Sequence, residues 1–557
     1  MASRTAAQIL VDQLKLHGAD TAFCVPGESY LALLDALHDA NSIRLIVCRQ
    51  EGGTAMMAEA YGKLTGKPGL CLVTRGPGAT NASAGIHVAM QDSTPLIVLV
   101  GQVARGARGR EALQEIDFRA MFGGMVKWVE EITDPKRIPE YVSRAFHTAT
   151  SGRPGPVVLS LPEDMLEEPA ETGDAESYRR IETYPGAAQM AAMRGLIAKA
   201  QRPFLLLGGA PWDEAAVKNV QIFAENFSLP VGTAFRRQDR IDNRHANYAG
   251  DVGIGPNAKL AERIKAADLL IALGARLGET TTGGYALVEA PVPRQKLVHI
   301  HADPEELGRV YHPTLAINAS PIGFAEAAAA LAPLPKPVWA ETPKAAHAEY
   351  LDYIKPVRSV GNLQMSEVIA WLDKNLPEDA IVANGAGNFA AWVSRFHQYR
   401  RFGTQLAPTS GSMGYGFPAA VAAKLVHPER EVICFCGDGD FLMTGQELAT
   451  AAKHRLRFVT LIVNNGMYGT IRMHQEMHYP GRVTGTDLHN PDFTVFAQAF
   501  GAYGEVVTKT EDFAAAYGRA RAFAGPAILE LRVDPAAITH KQSIDEIRDA
   551  ARAKQKH

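Results

Sequence analysis

Short apolar runs alternate with longer amphipathic stretches along almost the whole 557-residue chain. The short runs are rich in leucine and β-branched residues, which is typical of buried strands. The stretches between them have the spacing of amphipathic helices. Alternation of the two element types predicts parallel sheets covered by helices, so we expect an α/β protein.

The apolar runs fall into three sets. A polar stretch at about 167–188 separates the first set from the second, and a stretch rich in proline and alanine near residue 330 separates the second from the third. We predict three doubly wound parallel-sheet domains, at residues 1–170, 188–335 and 360–535, and a C-terminal tail at 536–557.

Composition and charge exclude several kinds of partner. The chain is 46% hydrophobic and 21% charged, which is ordinary for a soluble globular protein. Its formal net charge of −3, without a run of basic residues, argues against nucleic acid. The N-terminal stretch is amphipathic and no apolar run is long enough to cross a membrane, so we expect a cytoplasmic protein. Five cysteines without metal-type spacing predict buried, reduced thiols.

Two neighbouring apolar runs of the third set end in polar residues. Asp438 lies between two glycines after the first run, and Asn465 follows the second. Thr444 and Glu447 have the spacing of a capping box, which predicts a helix at 446–454 between the runs. Two strands joined by a helix run parallel, and their carboxyl ends lie at the same sheet edge. We therefore expect Asp438 and Asn465 to meet there.

This pair of side chains suits a magnesium ion. A carboxylate and an amide oxygen form a hard, incomplete ligand set that leaves places for water and for phosphate oxygens. Gly437 and Gly439 would let backbone N–H groups approach that phosphate. The alternative is a turn with solvated polar residues.

The spacing from Asp438 to Asn465 resembles the thiamin diphosphate motif, GDG followed by NN. The order of the three domains is similar to the pyrimidine-binding, central and diphosphate-binding domains of the thiamin diphosphate decarboxylase and acetolactate synthase superfamily. The resemblance implies that Asp438, Asn465 and the backbone carbonyl of Met467 bind Mg²⁺. Asp440 stands where relatives more often carry Ser or another small residue beside the diphosphate.

The same resemblance implies further cofactor contacts in the third domain. Gly387 and Asn388 would offer N–H groups to the diphosphate at a helix N-terminus. Met413 would hold the cofactor in its bent shape, and the backbone around Gly411 would contact the aminopyrimidine. Methionine is otherwise common as core filler.

Glu51 directly follows a strand-like run and opens a helix, where it lies at the position of the superfamily's conserved glutamate. The resemblance implies that it exchanges a proton with the aminopyrimidine nitrogen N1′ in a dry pocket. The alternative is an acid in the first turn that interacts favourably with the helix dipole.

Four positions bear on the substrate. Glu28 matches the acid of simple 2-oxo acid decarboxylases and could relay a proton, whereas synthases have Gly there. The alternative is a surface acid at a helix N-terminus. Gln114 and the segment around it follow the synthase pattern, but Arg75 replaces a synthase Ser. His474 occupies the position of the tryptophan that selects the larger acceptor acid, which implies a changed acceptor. It could instead be a solvated loop residue.

The resemblance bears on other ligands and on assembly. Synthases of this type hold FAD in the central domain, and Arg153 and Arg276 match positions that contact it, so FAD is a candidate ligand. In the superfamily the first domain of one subunit faces the third domain of its twin, which implies a homodimer or a dimer of dimers.

We therefore expect a thiamin diphosphate- and Mg²⁺-dependent carbon–carbon lyase or ligase that acts on a 2-oxo acid, with an acceptor pocket altered from that of acetolactate synthase. The alternatives are a non-oxidative 2-oxo acid decarboxylase or 2-hydroxy ketone lyase, and a non-catalytic subunit that retains the fold. A dead homologue would be expected to lose Glu51, Asp438 or Asn465, and all three are present.

Overall fold

A computed structural model describes residues 3–555 of the chain. It contains three six-stranded parallel sheets with helices packed on them, which confirms the predicted α/β class and the three doubly wound sheets. The central strands are buried on both faces, as their unbroken valine, isoleucine and leucine runs require.

The first sheet occupies the N-terminal third of the chain. The strands are β1 (Arg4–Thr5), β2 (Thr21–Cys24), β3 (Arg44–Val47), β4 (Gly69–Val73), β5 (Leu96–Gln102), β6 (Trp128–Glu131), β7 (Pro156–Pro162) and β8 (Pro169–Ala170). Strands β2 to β7 form the sheet in the order β3-β2-β4-β5-β7-β6, and β1 pairs with β8. The helices are α1 (Ala6–Leu16), α2 (Leu31–His38), α3 (Glu51–Thr65), α4 (Gly76–Asp92), α5 (Phe118–Phe122), α6 (Ile138–Thr150) and α7 (Glu163–Glu167).

The second sheet has the order β11-β10-β9-β12-β13-β14. Its strands are β9 (Pro203–Leu207), β10 (Val231–Ala234), β11 (Tyr248–Val252), β12 (Leu269–Leu273), β13 (Lys296–His301) and β14 (Leu315–Asn318). The accompanying helices are α8 (Ala187–Lys199), α9 (Glu214–Asn226), α10 (Ala258–Ala266), α11 (Pro321–Ala329) and α12 (Thr342–Tyr353).

The third sheet has the order β16-β15-β17-β18-β20-β19. Its strands are β15 (Ile381–Asn384), β16 (Gln405–Leu406), β17 (Val432–Gly437), β18 (Val459–Asn464), β19 (Tyr503–Val507) and β20 (Ala527–Arg532). The helices are α13 (Met365–Asn375), α14 (Asn388–Phe396), α15 (Gly416–Val426), α16 (Asp438–Phe441), α17 (Leu448–Lys453), α18 (Gly469–His478), α19 (Phe493–Ala499), α20 (Phe513–Ala522) and α21 (Ile544–Gln555).

The contacts divide the chain into two compact units. The first unit comprises Met1–Ile181, Val421–Val426 and Thr444–His454, and therefore contains the first sheet. The second unit comprises Glu182–Ala420, His427–Met443 and Arg455–His557, and contains the other two sheets. All five cysteines are buried free thiols, as predicted. None of the helices within residues 3–555 combines the length and the apolarity needed to cross a membrane.

The predicted capping box at Thr444 and Glu447 is wrong. A 3₁₀ helix, Gly445–Glu447, precedes α17, and the Thr444 side chain makes no capping hydrogen bond. The Glu447 carboxylate instead accepts the backbone N–H groups of Arg49 and Gln50, each at 3.0 Å, within the first unit. The local pattern failed because two backbone donors distant in sequence compete for the same carboxylate.

Candidate cofactor site

A cavity of about 270 Å³ lies at the carboxyl edge of the third sheet. It is bounded by the loops that follow β15, β16, β17 and β18 and by residues just after β20. All nine residues assigned to cofactor and metal from the sequence line it: Gly387, Asn388, Gly411, Met413, Gly437, Asp438, Gly439, Asn465 and Met467. The fold thus brings together residues that are up to 80 positions apart (467 minus 387).

Asp438 opens α16 at the end of β17 and is only 3% exposed. Its Oδ2 accepts hydrogen bonds from Asn490 Nδ2 at 2.7 Å and from the Gly466 backbone N–H at 3.0 Å. Both of these bonds are to Oδ2. Burial raises the pKa of the Asp438 carboxyl, and the hydrogen bonds from Asn490 and nearby backbone N–H groups oppose that shift.

Asn490 is a site residue that sequence reasoning missed. It lies between α18 and α19, outside any helix or strand, and its Nδ2 also donates to Asn464 Oδ1 at 3.1 Å. Asn464 Nδ2 in turn donates to Glu530 Oε1 at 2.8 Å, so the amides are held in one orientation. The only local signal is an asparagine before proline, which predicts a turn and no ligand contact.

The two asparagines after β18 have different roles. Asn464 belongs to the hydrogen-bond network around Asp438, whereas Asn465 lines the cavity. Asn465 Oδ1 accepts the Met467 backbone N–H at 3.2 Å, which fixes the turn between them. Within residues 3–555 no group of three or more His, Cys, Asp or Glu side chains could hold a metal ion. A metal at Asp438 would therefore depend on amide and carbonyl oxygens.

The N-terminus of α14 forms another wall of the cavity. Gly387 is the N-cap residue and supplies no side-chain cap, so first-turn N–H groups are available to an anion. The Asn388 side chain accepts from Thr470 Oγ1 at 2.9 Å and donates to the Ile538 carbonyl at 3.0 Å. Its amide therefore ties the loop after β15 to α18 and to the C-terminal segment.

Glu51 opens α3 in the first unit. Its Oε2 accepts Asn81 Nδ2 at 3.0 Å, and its Oε1 makes no hydrogen bond within the described residues. The two bonds from Arg49 and Gln50 to Glu447 hold the backbone directly before Glu51. One oxygen of the carboxylate thus has no hydrogen-bond partner among the described residues, at a helix end whose preceding backbone is held in place.

Glu28 and Gln114 both lie beside the start of α4 in the same unit. Glu28 is exposed, and its carboxylate pairs with Arg75 Nη1 at 3.3 Å. Arg75 is buried and also pairs with Glu163. Gln114 is exposed with a positive φ of 64°, and its backbone carbonyl accepts the Gly76 N–H at 2.9 Å. The arginine that replaces a synthase Ser therefore contacts the acid expected to relay a proton.

His474 does not line the cavity. It is exposed on α18, one turn beyond Ile471, which does line it. Its ring stacks on that of His478, with centroids 6.2 Å apart. The side chain is thus at the outer end of the site, and its contact with an acceptor substrate stays a prediction.

The C-terminal segment closes the remaining side of the cavity. Ala537 and Ile538 line it, and α21 packs against α18. Glu476 on α18 is fully buried and accepts Arg548 Nη2 and Nε of α21 at 2.8 and 2.9 Å. The Arg548 guanidinium lowers the pKa of Glu476 to about 2. This ion pair fastens the segment over the site.

Comparison with protein-family models identifies the class of this chain. Residues 4–121 match the N-terminal TPP binding domain of thiamine pyrophosphate enzymes, residues 190–328 match their central domain, and residues 385–531 match their C-terminal TPP binding domain. The chain belongs to the thiamine pyrophosphate enzyme family.

Within that family the chain is similar to acetolactate synthase large subunits. It is 35% identical over 525 residues to the acetolactate synthase large subunit of Parasynechococcus marenigrum (strain WH8102), which covers 91% of this chain and 84% of that protein. It is 30% identical over 539 residues to the acetolactate synthase isozyme 2 large subunit of Escherichia coli (strain K12), with 95% of each chain covered. The similarity extends across all three sheets.

The residues around the cavity fit thiamin diphosphate and Mg²⁺. The uncapped N-terminus of α14 suits a phosphate, and Asp438 with Asn465 suits a hard divalent cation. A Cβ on Gly439 would lie 2.6 Å from the Tyr468 ring, so the backbone there has no room for a side chain. Met413, Leu363 and Met365 give the cavity an apolar wall for a ring.

We expect Glu476→Gln to loosen the C-terminal segment and to lower the free energy of unfolding by about 2 kcal/mol, because hydrogen bonds between charged groups are lost. Since the pKa of Glu476 is depressed, its contribution is fully present above the ordinary glutamate pKa and is lost as pH falls towards about 2. Denaturation at pH 7 and pH 3, with hydrogen exchange of 533–555, measures both effects.

Asp545→Asn is the matched control for this prediction. Asp545 also pairs with Arg548, but its side chain is 66% exposed, so its removal should change stability by less than about 0.5 kcal/mol. Equal effects of the two substitutions would show that the buried pair does not fasten the segment.

Proposed function

We propose that this protein is a thiamin diphosphate- and Mg²⁺-dependent carboligase that acts on a 2-oxo acid. The observation that carries the proposal is the single cavity lined by all nine residues assigned from the sequence to cofactor and metal. The similarity to acetolactate synthase large subunits supports the same reaction class. When bound, thiamin diphosphate supplies an acidic thiazolium carbon and an electron sink for the loss of CO₂ from a 2-oxo acid.

The residues of the third sheet bind and orient in this proposal. Asp438 Oδ1, the Asn465 amide oxygen and the Met467 carbonyl would hold Mg²⁺. Asn490 and Gly466 keep the Asp438 carboxylate in one orientation through Oδ2. The start of α14 would receive the diphosphate, and the segment around Ile538 would exclude water from the cavity.

Glu51 has the role of moving a proton. Its Oε1 makes no hydrogen bond in the described part of the chain, so it can give a proton to, or take one from, the aminopyrimidine nitrogen N1′. Asn81 holds the other oxygen, which prevents the carboxylate from rotating away. A non-catalytic subunit would have no need for this arrangement.

Glu28 favours a second candidate function, a non-oxidative 2-oxo acid decarboxylase. Its carboxylate is exposed to solvent beside Arg75, so it could relay a proton from water to the reacting carbon after loss of CO₂. In a carboligase an acceptor acid would occupy that place instead. We propose that the residues around His474 select this acceptor. Incubation with pyruvate, benzoylformate and 2-hydroxyacyl donors, followed by mass analysis of the products, distinguishes a ligated product from an aldehyde.

Two assignments stay predictions from the sequence, a cytoplasmic location and FAD in the central domain. Arg153, one of the two arginines that suggested FAD, is buried in the first unit. Its Nε donates to Ser93 Oγ at 2.9 Å and its Nη2 to the Met90 carbonyl at 2.6 Å. This arginine therefore supports the turn after α4.

We expect Asn490→Ala to weaken Mg²⁺ binding about 10- to 100-fold, because the metal carboxylate loses the donor that orients it. Asp438→Ala should abolish retention of Mg²⁺ and thiamin diphosphate altogether. Titration with Mn²⁺, followed by electron paramagnetic resonance, measures the affinity without turnover. His489→Ala, an exposed neighbour, is the control, and parent-like affinity in Asn490→Ala would remove Asn490 from the site.

Glu51→Gln should keep the fold and the affinity for thiamin diphosphate but lower turnover by roughly 10² to 10⁴, since an amide cannot exchange the proton. Exchange of the thiazolium hydrogen in deuterated water reports that step directly. Exposed Glu176→Gln in the same unit serves as the control. Parent-like exchange in Glu51→Gln would rule out its role.

We infer from the family resemblance that the protein is at least a homodimer, in which Glu51 of one subunit and Asp438 of its twin serve one cofactor. Mixing Glu51→Gln with Asp438→Ala subunits should then restore part of the activity, because a mixed dimer has one intact set of residues. A fully active monomer at high dilution, or no recovery after demonstrated subunit exchange, would contradict this assembly.

A further inference from the structure

Two buried charged side chains contact both of the loops that line the cavity on the side of β15 and β16. One loop, 385–387, joins β15 to α14, and the other, 407–415, joins β16 to α15. Both loops contribute cavity-lining residues, among them Gly387 and Met413. The separation of the two loops therefore sets the width of the cavity at this end.

Arg236 donates to a carbonyl on each loop. Its Nη1 lies 2.5 Å from the Pro408 carbonyl oxygen, and its Nη2 lies 3.1 Å from the Gly385 carbonyl oxygen. Arg236 follows β10 of the second sheet, is 5% exposed and has a φ of 57°, a left-handed conformation that is costly for a residue with a Cβ. A planar guanidinium presents donors from two nitrogens at a fixed spacing, whereas the ammonium group of lysine presents all of its donors from a single nitrogen.

Asp440 accepts a backbone N–H from each loop. Its Oδ1 lies 2.7 Å from Gly414 N and 3.3 Å from Ala386 N, and the residue is 2% exposed. A Cβ on Gly385 would lie 2.1 Å from Asp440 Oδ2, so the carboxylate fills the space beside that glycine.

We propose that Arg236 and Asp440 are positioning residues that hold the two loops at their binding separation before thiamin diphosphate arrives. This inference rests on the proposed function for the identity of the ligand. Each side chain bonds to both loops, so neither loop can move without breaking bonds to a buried charge. When the loops are already ordered, binding does not include the entropic cost of ordering them, so the affinity for thiamin diphosphate is higher.

The decisive comparison is between Asp440→Ala and Asp440→Asn. Both N–H groups bond to Oδ1, so the amide oxygen of asparagine can accept both, whereas alanine accepts neither. We expect Asp440→Ala to raise hydrogen exchange in 385–388 and 408–414 in the protein without cofactor. We also expect Asp440→Ala to weaken thiamin diphosphate binding about 10- to 100-fold at saturating Mg²⁺. The affinity of Asp440→Asn should stay within about threefold of that of the parent.

Arg236→Lys and Arg236→Met test the positioning role of Arg236. They also provide the test of the proposal if Asp440→Ala does not fold. Lysine keeps the charge but has one donor nitrogen in place of two spaced ones, so we expect an intermediate loss of affinity for Arg236→Lys. For Arg236→Met, which has no donor, we expect a loss as large as that of Asp440→Ala. The double variant Arg236→Met with Asp440→Ala should be little worse than either single variant, because the two act on the same loops.

Asp239→Asn is the matched control. Asp239 lies in the same segment as Arg236, but its Oδ2 accepts the N–H groups of 403–405, outside the cavity. The Asp239→Asn substitution should therefore leave the affinity for thiamin diphosphate unchanged. Two results would overturn the proposed positioning role. One is parent-like hydrogen exchange of the two loops in Asp440→Ala, and the other is an affinity for thiamin diphosphate in Asp440→Asn as low as that of Asp440→Ala. If the parent protein binds no thiamin diphosphate, the proposed function is wrong. Hydrogen exchange of the two loops in the protein without cofactor would still test the positioning role of Arg236 and Asp440.

Discussion

The parallel pairing of β15, β17 and β18 is the constraint on which the cofactor site depends. Gly437 pairs with Val463, and Asn384 pairs with Phe435, so three loops begin side by side at one edge of the sheet. Adjacent strands are about 4.8 Å apart, which brings a carboxylate, an amide and a helix N-terminus within reach of one small ligand. The register between these buried strands thereby determines which polar residues lie next to one another at the carboxyl edge of the sheet.

The part of the site that follows this constraint could be predicted from the sequence. Asp438 and Asn465 come directly after apolar runs, and a parallel sheet places such residues together whatever their distance along the chain. Strands β4, β5 and β7 are likewise continuous apolar runs, the pattern that predicts buried strands. Strand β6 is harder to recognise, because only its first two residues are apolar and its last two are glutamates.

The missed residues all act through contacts that no local pattern encodes. Asn490 reaches Asp438 from an irregular segment, and Arg236 reaches Gly385 and Pro408 from another sheet. Glu447 had a plausible local partner, Thr444, but bonds to backbone groups almost 400 positions earlier in the chain. In each case a buried polar group must be paired, and the partner is decided by packing rather than by spacing.

At Glu447 the boundaries of the family match and of the compact units do not coincide. The family match to the C-terminal domain covers 385–531 and includes Glu447, yet the segment Thr444–His454 belongs to the compact unit of the first sheet. Recombination between relatives at the matched boundaries would therefore separate Glu447 from Arg49 and Gln50, which donate its hydrogen bonds. Chimeric enzymes built from such modules should retain function only when residues 44–53 and 444–454 are exchanged together.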